Sequence, residues 1–570
     1  MGTDACLFAV RVEDAGQRPA VEARVRALEA FYRPFAWRAD WRWLEEPKAI
    51  VGRLAPEGDV EPTLVWGEPL PAGLDAGRLL NPSTDGLRAL DRLLATVVHD
   101  DHEACVVTGA AGITAAYEAT GPGTDAWATH AVAAAWLARA EVRVDPDAVP
   151  ELLACEFVGD ERCLVAGVRA MAPASRVRLL EGRVERDSYW PQHERWATVP
   201  EDAAAAAAET AILDGLRRRL DGGWRPTLGL TGGLDSRVLA VALAELGADF
   251  DTFTWGEEDW DDVVEAQRLA RALGVEHRRC PAEWLAGDAA LAHTDATVRW
   301  TEGAIPVGPA RPTWPPGIRA WVYGAGGETG RAYYYASHAA RHRTPTLGVL
   351  ARTWSPEARL REAQPEALAI VRRRARAWLE GARALGLRGW RCLDHVYAEQ
   401  RVRRWGRGMV PRLDAAPVPG FVSPDVARSF LSLNDADRVT SAFHRRFVAH
   451  RRPDLAPPPA PEFRRGGRAA STARLVLAPI ARAVGLGSGP RAHPPAQALA
   501  AAHWERDPGY RSWLEDEVLV APVLVEPLGE PWAETARAGL RAGEASATDT
   551  VLRAAAAVAL ERALRDLRPT

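Results

Sequence analysis

Residues 225–247 read RPTLGLTGGLDSRVLAVALAELG. A short apolar run, PTLGL, predicts a strand, and SRVLAVALAELG has the spacing of a helix that stops at Gly247. Between them stand Thr231, Gly232, Gly233, Leu234, Asp235 and Ser236. Glycines at a strand-to-helix turn permit backbone approaches that a Cβ would block. Their N–H groups, with the positive end of the following helix, form a cradle for phosphate oxygens. Thr231 and Ser236 add hydroxyls. Asp235 would repel a bare phosphate, so its presence points to a magnesium ion between carboxylate and phosphate. The Walker pattern is excluded, because it needs a lysine and the whole chain has one, Lys48, far upstream.

Outward from this turn the pattern continues. DTFTWG predicts a strand, DDVVEAQRLARALG a helix ending at Gly274, and RAWVYG a further short strand. Strands alternating with helices predict a parallel sheet covered on both faces, with ligands held beyond the carboxyl ends of its strands. Upstream, CLFAVRVED, ACVVTGAAGITAAYEATGPG and SRVRLLEGRVERDSYW read as short strands, the last a hairpin turning at Glu181-Gly182, with an Ala-rich helix after His130. A polar stretch, PQHERWATVPED, then leads into the helix AAAAAAETAILDGLRRRL, with Asp202 a candidate N-cap, so a boundary is placed at residues 191–202. Beyond residue 345 the chain reads as mostly helical and Arg-rich, ending in the helix ASATDTVLRAAAAVALERALRDL.

The chain has 570 residues, 47% hydrophobic and 26% charged, as expected of a globular protein of two to four domains. A net charge of −5 disfavours nucleic acid as a partner. No apolar run is long enough to span a membrane, and the N-terminus has no signal-peptide pattern, so a cytoplasmic location is expected. None of the six cysteines forms a C-x-x-C pair.

The TGGLDS turn resembles the S-G-G-x-D-S signature of the PP-loop ATP pyrophosphatases, with Thr in place of the first Ser. The resemblance implies ATP as cofactor, cleaved between its α and β phosphates to leave an acyl-adenylate and pyrophosphate. It implies nucleotide contacts from Leu230, Thr231, Gly232, Gly233, Leu234, Asp235, Ser236, Thr254 and Gly324. A second stretch, YGAGGETGR (Tyr323 to Arg331), resembles the S-G-x-G-A/G-D-E loop of the asparagine synthetase-like enzymes, with Glu328 at the metal-binding carboxylate. Asp235 and Glu328 are thereby implied as Mg²⁺ ligands and catalytic residues. GVRAMAPASRVRLLEGRVERDSYW resembles the end of that family's N-terminal domain, and LDHVYAEQRVRRWGRG through PGFVSPDVARSFLSL its helical part. The implied fold is an α+β Ntn-hydrolase-like domain over residues 1–195, of the class II glutamine amidotransferase type but degenerate. An α/β PP-loop domain (adenine nucleotide α-hydrolase-like) with a largely helical C-terminal part follows over residues 200–570.

Asparagine synthetases begin Met-Cys, whereas this chain begins MGTDAC, so Cys6 is expected to be an apolar residue of the first strand and glutamine is not the expected nitrogen donor. That pattern is similar to the β-lactam synthetases and lasso-peptide cyclases, in which an adenylated carboxylate is captured by an amine of the same substrate. Two positions depart from them. Ala325 stands where β-lactam synthetases carry a Tyr of their base dyad. The family's late Lys is absent, leaving Arg465, or its neighbours Arg464 and Arg468, as candidates for the charge role. Glu399 and Tyr323 are candidate bases. The expected function is an ATP-dependent, AMP-forming carbon–nitrogen ligase that closes a lactam or macrolactam. Its expected partners are a peptide or small-molecule substrate bearing carboxylate and amine, with a precursor peptide and its processing protein. The alternatives are a non-catalytic ATP-binding scaffold in a biosynthetic complex and a glutamine-independent intermolecular amidotransferase.

Overall fold

The computed structural model describes residues 5–56, 65–67, 87, 94–113, 115–220, 225–335, 346–404, 406, 415–457 and 508–567. In chain order its first eleven strands are β1 (Cys6–Val12), β2 (Trp37–Leu44), β3 (Ala49–Pro56), β4 (Val65–Gly67), β5 (Leu94–His99), β6 (Glu103–Thr108), β7 (Tyr117–Gly121), β8 (Thr124–Ala128), β9 (Arg169–Ala170), β10 (Ser175–Leu180) and β11 (Arg183–Ser188). They form two antiparallel sheets, ordered β2-β3-β1-β8-β7-β9 and β11-β10-β6-β5-β4. Phe8 and Val10 of the first sheet share a core with Val97, Val106 and Leu179 of the second. The helices Arg18–Phe31 and Ala131–Arg139 lie against the first sheet. Cys6 is a fully buried residue of β1, opposite Leu54. The β10–β11 hairpin turns where the sequence indicates. Leu180 pairs with Arg183, and Glu181 and Gly182 both take positive φ, 44° and 76°, as a two-residue turn that matches strand twist requires.

The remaining strands are β12 (Pro226–Gly229), β13 (Asp251–Trp255), β14 (His277–Cys280), β15 (Ala282–Trp284), β16 (Ala310–Pro312), β17 (Ala320–Tyr323) and β18 (Ala416–Pro419). β15 and β16 make a small antiparallel ribbon, and the other five form a wholly parallel sheet in the order β14-β13-β12-β17-β18. Leu228, Val322 and Val418 of that sheet pack with Ile212 and Leu216 of the helix Ala204–Leu220 and with Val238, Leu239 and Val241 of the helix Leu234–Glu245. The chain is thus a mixed α/β protein with many helices, and the parallel sheet is of the kind a PP-loop domain uses. From β12 the chain runs outward through β13 and β14, then returns to the other side of β12 with β17 and β18. The strand order therefore reverses between β12 and β17, which is where open α/β sheets bind ligands.

The C-terminal helices do not pack on the parallel sheet alone. Val551, Ala554 to Leu560 and Leu564 share one core with Leu152, Leu153 and the antiparallel sheets. Arg553, buried on the helix Ala545–Ala563, donates to the Leu153 carbonyl at 2.8 Å and pairs with Glu156 at 2.8 Å. Glu302, at the end of the helix Gly287–Thr301, accepts from the N–H groups of Ala131 and Val132 at 2.8 and 2.7 Å, and so caps a helix of the N-terminal part.

Candidate nucleotide site at the sheet switch point

The TGGLDS turn begins where β12 ends. Leu230 still follows the sheet: its N–H donates to Phe253 O at 2.8 Å, the Thr254 hydroxyl donates to its carbonyl, and its side chain is fully buried. The helix then starts at Leu234 with Gly233 as its N-cap. Within the turn each successive N–H already has an acceptor. Thr231 N–H donates to Ser236 Oγ at 3.1 Å, Gly232 N–H to Asp262 Oδ1 at 2.9 Å, and Gly233 N–H to Thr231 Oγ1 at 3.1 Å. A phosphate taking these donors must replace those oxygens. Thr231 and Ser236 act here first as the turn's own scaffold, and Thr254 as its anchor. Asp262, in the first turn of the helix Asp261–Leu273, holds the position where an anion would sit.

The glycines of the second loop have a cause in the first. A Cβ on Gly327 would lie 2.3 Å from Asp235 Oδ1, and one on Gly324 would lie 2.9 Å from Asp235 Cβ. Gly326 takes φ +90° with the Phe421 carbonyl 2.9 Å from where its Cβ would be. The loop is therefore folded onto Asp235, and only glycine fits. Its last turn, Gly327–Arg331, brings two charged groups with it. Arg331 Nη2 donates to Asp235 Oδ2 at 2.7 Å. Glu328 accepts from the Tyr397 hydroxyl at 2.8 Å. Burial and then the charge of Asp235 push the Glu328 carboxyl above its ordinary value, against the hydrogen bond from Tyr397. His444 Nε2 lies 3.2 Å from Asp235 Oδ1, at ion-pair distance but without hydrogen-bond geometry. Burial lowers the His444 pKa, and Phe421, Phe430 and Phe443 surround its ring.

The structure thus brings together Thr231 to Ser236, Gly324 and Glu328 at the switch point. Arg464, Arg465 and Arg468 lie outside the described residues. The two candidate bases find other employment. Glu399 is buried between Arg403, at 2.8 Å, and Arg195, at 3.7 Å; although burial raises its pKa, these cations hold it below the usual carboxylate range. Tyr323 stacks on Trp321 with ring centroids 4.2 Å apart.

Three residues near the loops were not marked by the motifs. Arg237, buried in the helix, donates to Gly232 O at 3.1 Å, to Glu265 Oε1 at 3.0 Å and to Leu455 O at 2.7 Å. An arginine amid the apolar run RVLAVALA is the signal that marks it. Arg331 is likewise a charge in a glycine loop. Tyr397 opens a π-helical turn, Tyr397–Val402, a distortion that recurs at functional sites but leaves little trace in sequence.

A buried carboxylate, Glu328, whose proton affinity the charge of Asp235 raises, calls for a cation. Asp235 Oδ1 is buried and accepts no hydrogen bond among the described residues. These hard oxygen donors fit Mg²⁺, although among the described residues no cluster of three or more His, Cys, Asp or Glu forms a metal cage. Mg²⁺ at such a site usually keeps waters and takes its other ligands from phosphate.

Residues 207–314, which include the whole TGGLDS turn and stop short of Glu328, match the family model described as asparagine synthase. The parallel-sheet part of the chain is therefore similar to the asparagine synthetase-like family. Over 229 residues the chain is 28% identical to a carboxyethyl-arginine beta-lactam-synthase of Streptomyces clavuligerus, covering 39% of this chain and 40% of that one. Over 144 residues it is 23% identical to asparagine synthetase [glutamine-hydrolyzing] 1 of Bacillus subtilis (strain 168), covering 25% of this chain and 23% of that one. The chain thus matches well under half the length of either relative.

Proposed function

We propose that the protein is an ATP-dependent, AMP-forming carbon–nitrogen ligase that activates a carboxylate as an acyl-adenylate and joins it to an amine of the same peptide or natural-product substrate. The observation that carries this reading is the fit of the Gly324–Glu328 loop onto Asp235, which sets two carboxylates at the one edge of the sheet suited to a nucleotide. A carboxylate oxygen attacks the α-phosphorus, and the bond to the β-phosphate breaks as pyrophosphate leaves. The amine then attacks the activated carbonyl, loses a proton, and AMP departs. Asp235 and Glu328 would hold Mg²⁺, which supplies charge neutralisation at the phosphates. Arg331 fixes the Asp235 carboxylate and Tyr397 fixes that of Glu328. The turn amides receive phosphate oxygens once the internal acceptors give way. Cys6, buried within β1, has no access to glutamine, so the nitrogen comes from the substrate itself. A precursor peptide and its processing protein are the partners this reading expects.

One observation favours a second reading, an ATP-binding scaffold without catalysis: all three turn amides are satisfied internally. Pyrophosphate release from Mg-ATP decides between them, measured with a panel of amine-bearing carboxylates and candidate precursor peptides and with Asp235→Ala as control. Substrate-dependent release that vanishes in the variant supports the ligase. Nucleotide binding with no release from any substrate supports the scaffold.

A further inference from the structure

Tyr397, whose hydroxyl holds Glu328, opens the π-helical turn Tyr397–Val402, and the other polar side chains of that turn all reach the N-terminal part of the chain. Gln400 Oε1 accepts from the Asp160 N–H at 2.6 Å. Arg401 Nη2 donates to Glu156 Oε2 at 2.7 Å. Glu399 lies 3.7 Å from Arg195, which donates to the Ala110 carbonyl at 3.3 Å. Just past the turn, Arg403 donates to Glu399 at 2.8 Å and to the Met171 carbonyl at 3.4 Å. The N-terminal side is shaped for this contact. Asp160 takes φ +56°, a left-handed backbone that non-glycine residues adopt rarely. A Cβ on Gly159 would lie 2.3 Å from Trp378 Cζ2 and 2.9 Å from Gln400 Oε1, so this loop closes directly on the turn.

A π-turn carries one residue more than an α-helical turn and is rare. Were it to relax to α-helix, the side chains before and after it would swing by about 100° relative to one another. Tyr397 and the group Glu399 to Arg401 could not then both keep their partners. The turn is therefore held from two directions. Just before it, Asp394 accepts from the Tyr335 hydroxyl at 2.9 Å and pairs with Arg438. The grip of the N-terminal part on Glu399, Gln400 and Arg401 supplies the second fixed point. A site carboxylate keeps its aim only where the groups that orient it are themselves locked.

On the reading that Glu328 serves the ligase reaction, we infer that the N-terminal part of the chain positions it. Gln400 and Arg401 are positioning residues that hold the π-turn, the turn holds Tyr397, and Tyr397 orients the Glu328 carboxylate. A region whose Cys6 is sealed inside β1 thus keeps a task in the reaction without touching the substrate.

The test compares full-length Gln400→Leu and Arg401→Met with Val97→Ala, which weakens the N-terminal core away from the turn. In hydrogen exchange of the nucleotide-free protein, the amides of Gly324–Arg331 should exchange at least about threefold faster in the first two variants. The helix Leu234–Glu245 should be unchanged in both, and Val97→Ala should leave Gly324–Arg331 as in the parent. In pyrophosphate release, kcat should fall at least about tenfold in the first two variants, while KM for ATP stays within about twofold. Combining Gln400→Leu with Tyr397→Phe should cost clearly less than the product of the two single losses, because both act through one hydroxyl, whereas independent effects multiply. Arg401→Met carries the test where Gln400→Leu does not fold. Unchanged exchange at Gly324–Arg331, an equal gain in Val97→Ala, a kcat near the parent's, or losses that multiply overturn the inference. Where no substrate yields pyrophosphate, the ligase reading fails, and exchange alone decides whether the N-terminal part holds the loop.

Discussion

Gly327→Ala puts the packing of the two loops to the most direct test. Gly327 does not have positive φ, so alanine meets no backbone penalty and the whole effect arises from its Cβ. That atom would lie 2.3 Å from Asp235 Oδ1 and 2.6 Å from Asp235 Cγ. Contact between non-bonded heavy atoms is comfortable near 3.5 Å, so the carboxylate and the loop must separate by about 1 Å. Asp235 cannot simply swing away, because Arg331 holds its other oxygen at 2.7 Å. Overpacking of this kind costs about 1–3 kcal/mol of stability. A displacement of about 1 Å at a group that positions reacting atoms lowers turnover by roughly 100-fold, equivalent to about 2.7 kcal/mol. The assay is the initial rate of pyrophosphate release with the substrate that the panel identifies, alongside urea unfolding. Gly381→Ala is the matched control: its Cβ meets nothing within 4 Å on an exposed helix face, so stability should rise by up to about 1 kcal/mol with turnover unchanged. A folded Gly327→Ala protein with turnover within twofold of the parent refutes the reasoning.

Tyr397→Phe removes the hydrogen bond that opposes the upward shift of Glu328. The acid limb of the pH–rate profile should therefore move to higher pH, and an unmoved limb shows that Glu328 does not set it. Asp262→Ala frees the Gly232 amide in the nucleotide-free protein. ATP should then bind several-fold tighter by calorimetry, since about 1 kcal/mol of internal hydrogen bond no longer competes; weaker binding would show that the carboxylate remains in the loaded site. Glu151 is fully buried, and burial pushes its carboxyl from 4.5 up to about 7. The folded state then holds a proton that the unfolded chain releases nearer pH 4.5. Its contribution is complete below that value and is lost as pH rises through 7. Glu151→Gln should flatten the fall in urea stability between pH 5 and 8, and an unchanged slope counts against this origin.

The strand–turn–helix at Thr231 to Ser236 was legible because its pattern is local: strand, two glycines, acid, hydroxyl and helix fall within a dozen residues. The hairpin at Glu181-Gly182 was legible for the same reason. What escaped the sequence depends on pairing at a distance. β14 is HRRC, too short and charged to read as a strand, and it is held by its register with β13. β18 is APVP, with two prolines that cannot donate to a ladder, and it forms on the edge of the sheet, where prolines are tolerated. The second loop was read as resembling a metal-binding loop, with no reason found for its glycines. Their actual reason, the carboxylate of Asp235, lies almost a hundred residues upstream. Tyr397 lies in a stretch read only as resembling the helical part of the family, and His444 reaches Asp235 from a helix that no motif marked.

The helix Ala545–Ala563, which fills the core around Leu152 and Leu153, has a consequence for synthesis of the protein. A ribosome delivers the antiparallel sheets hundreds of residues before it delivers this helix. Until then the first part of the chain carries an open apolar seam, and Glu156 lacks the Arg553 that pairs with it. The beginning of the molecule is therefore completed last, and a chain cut short near its end should fail first at its start.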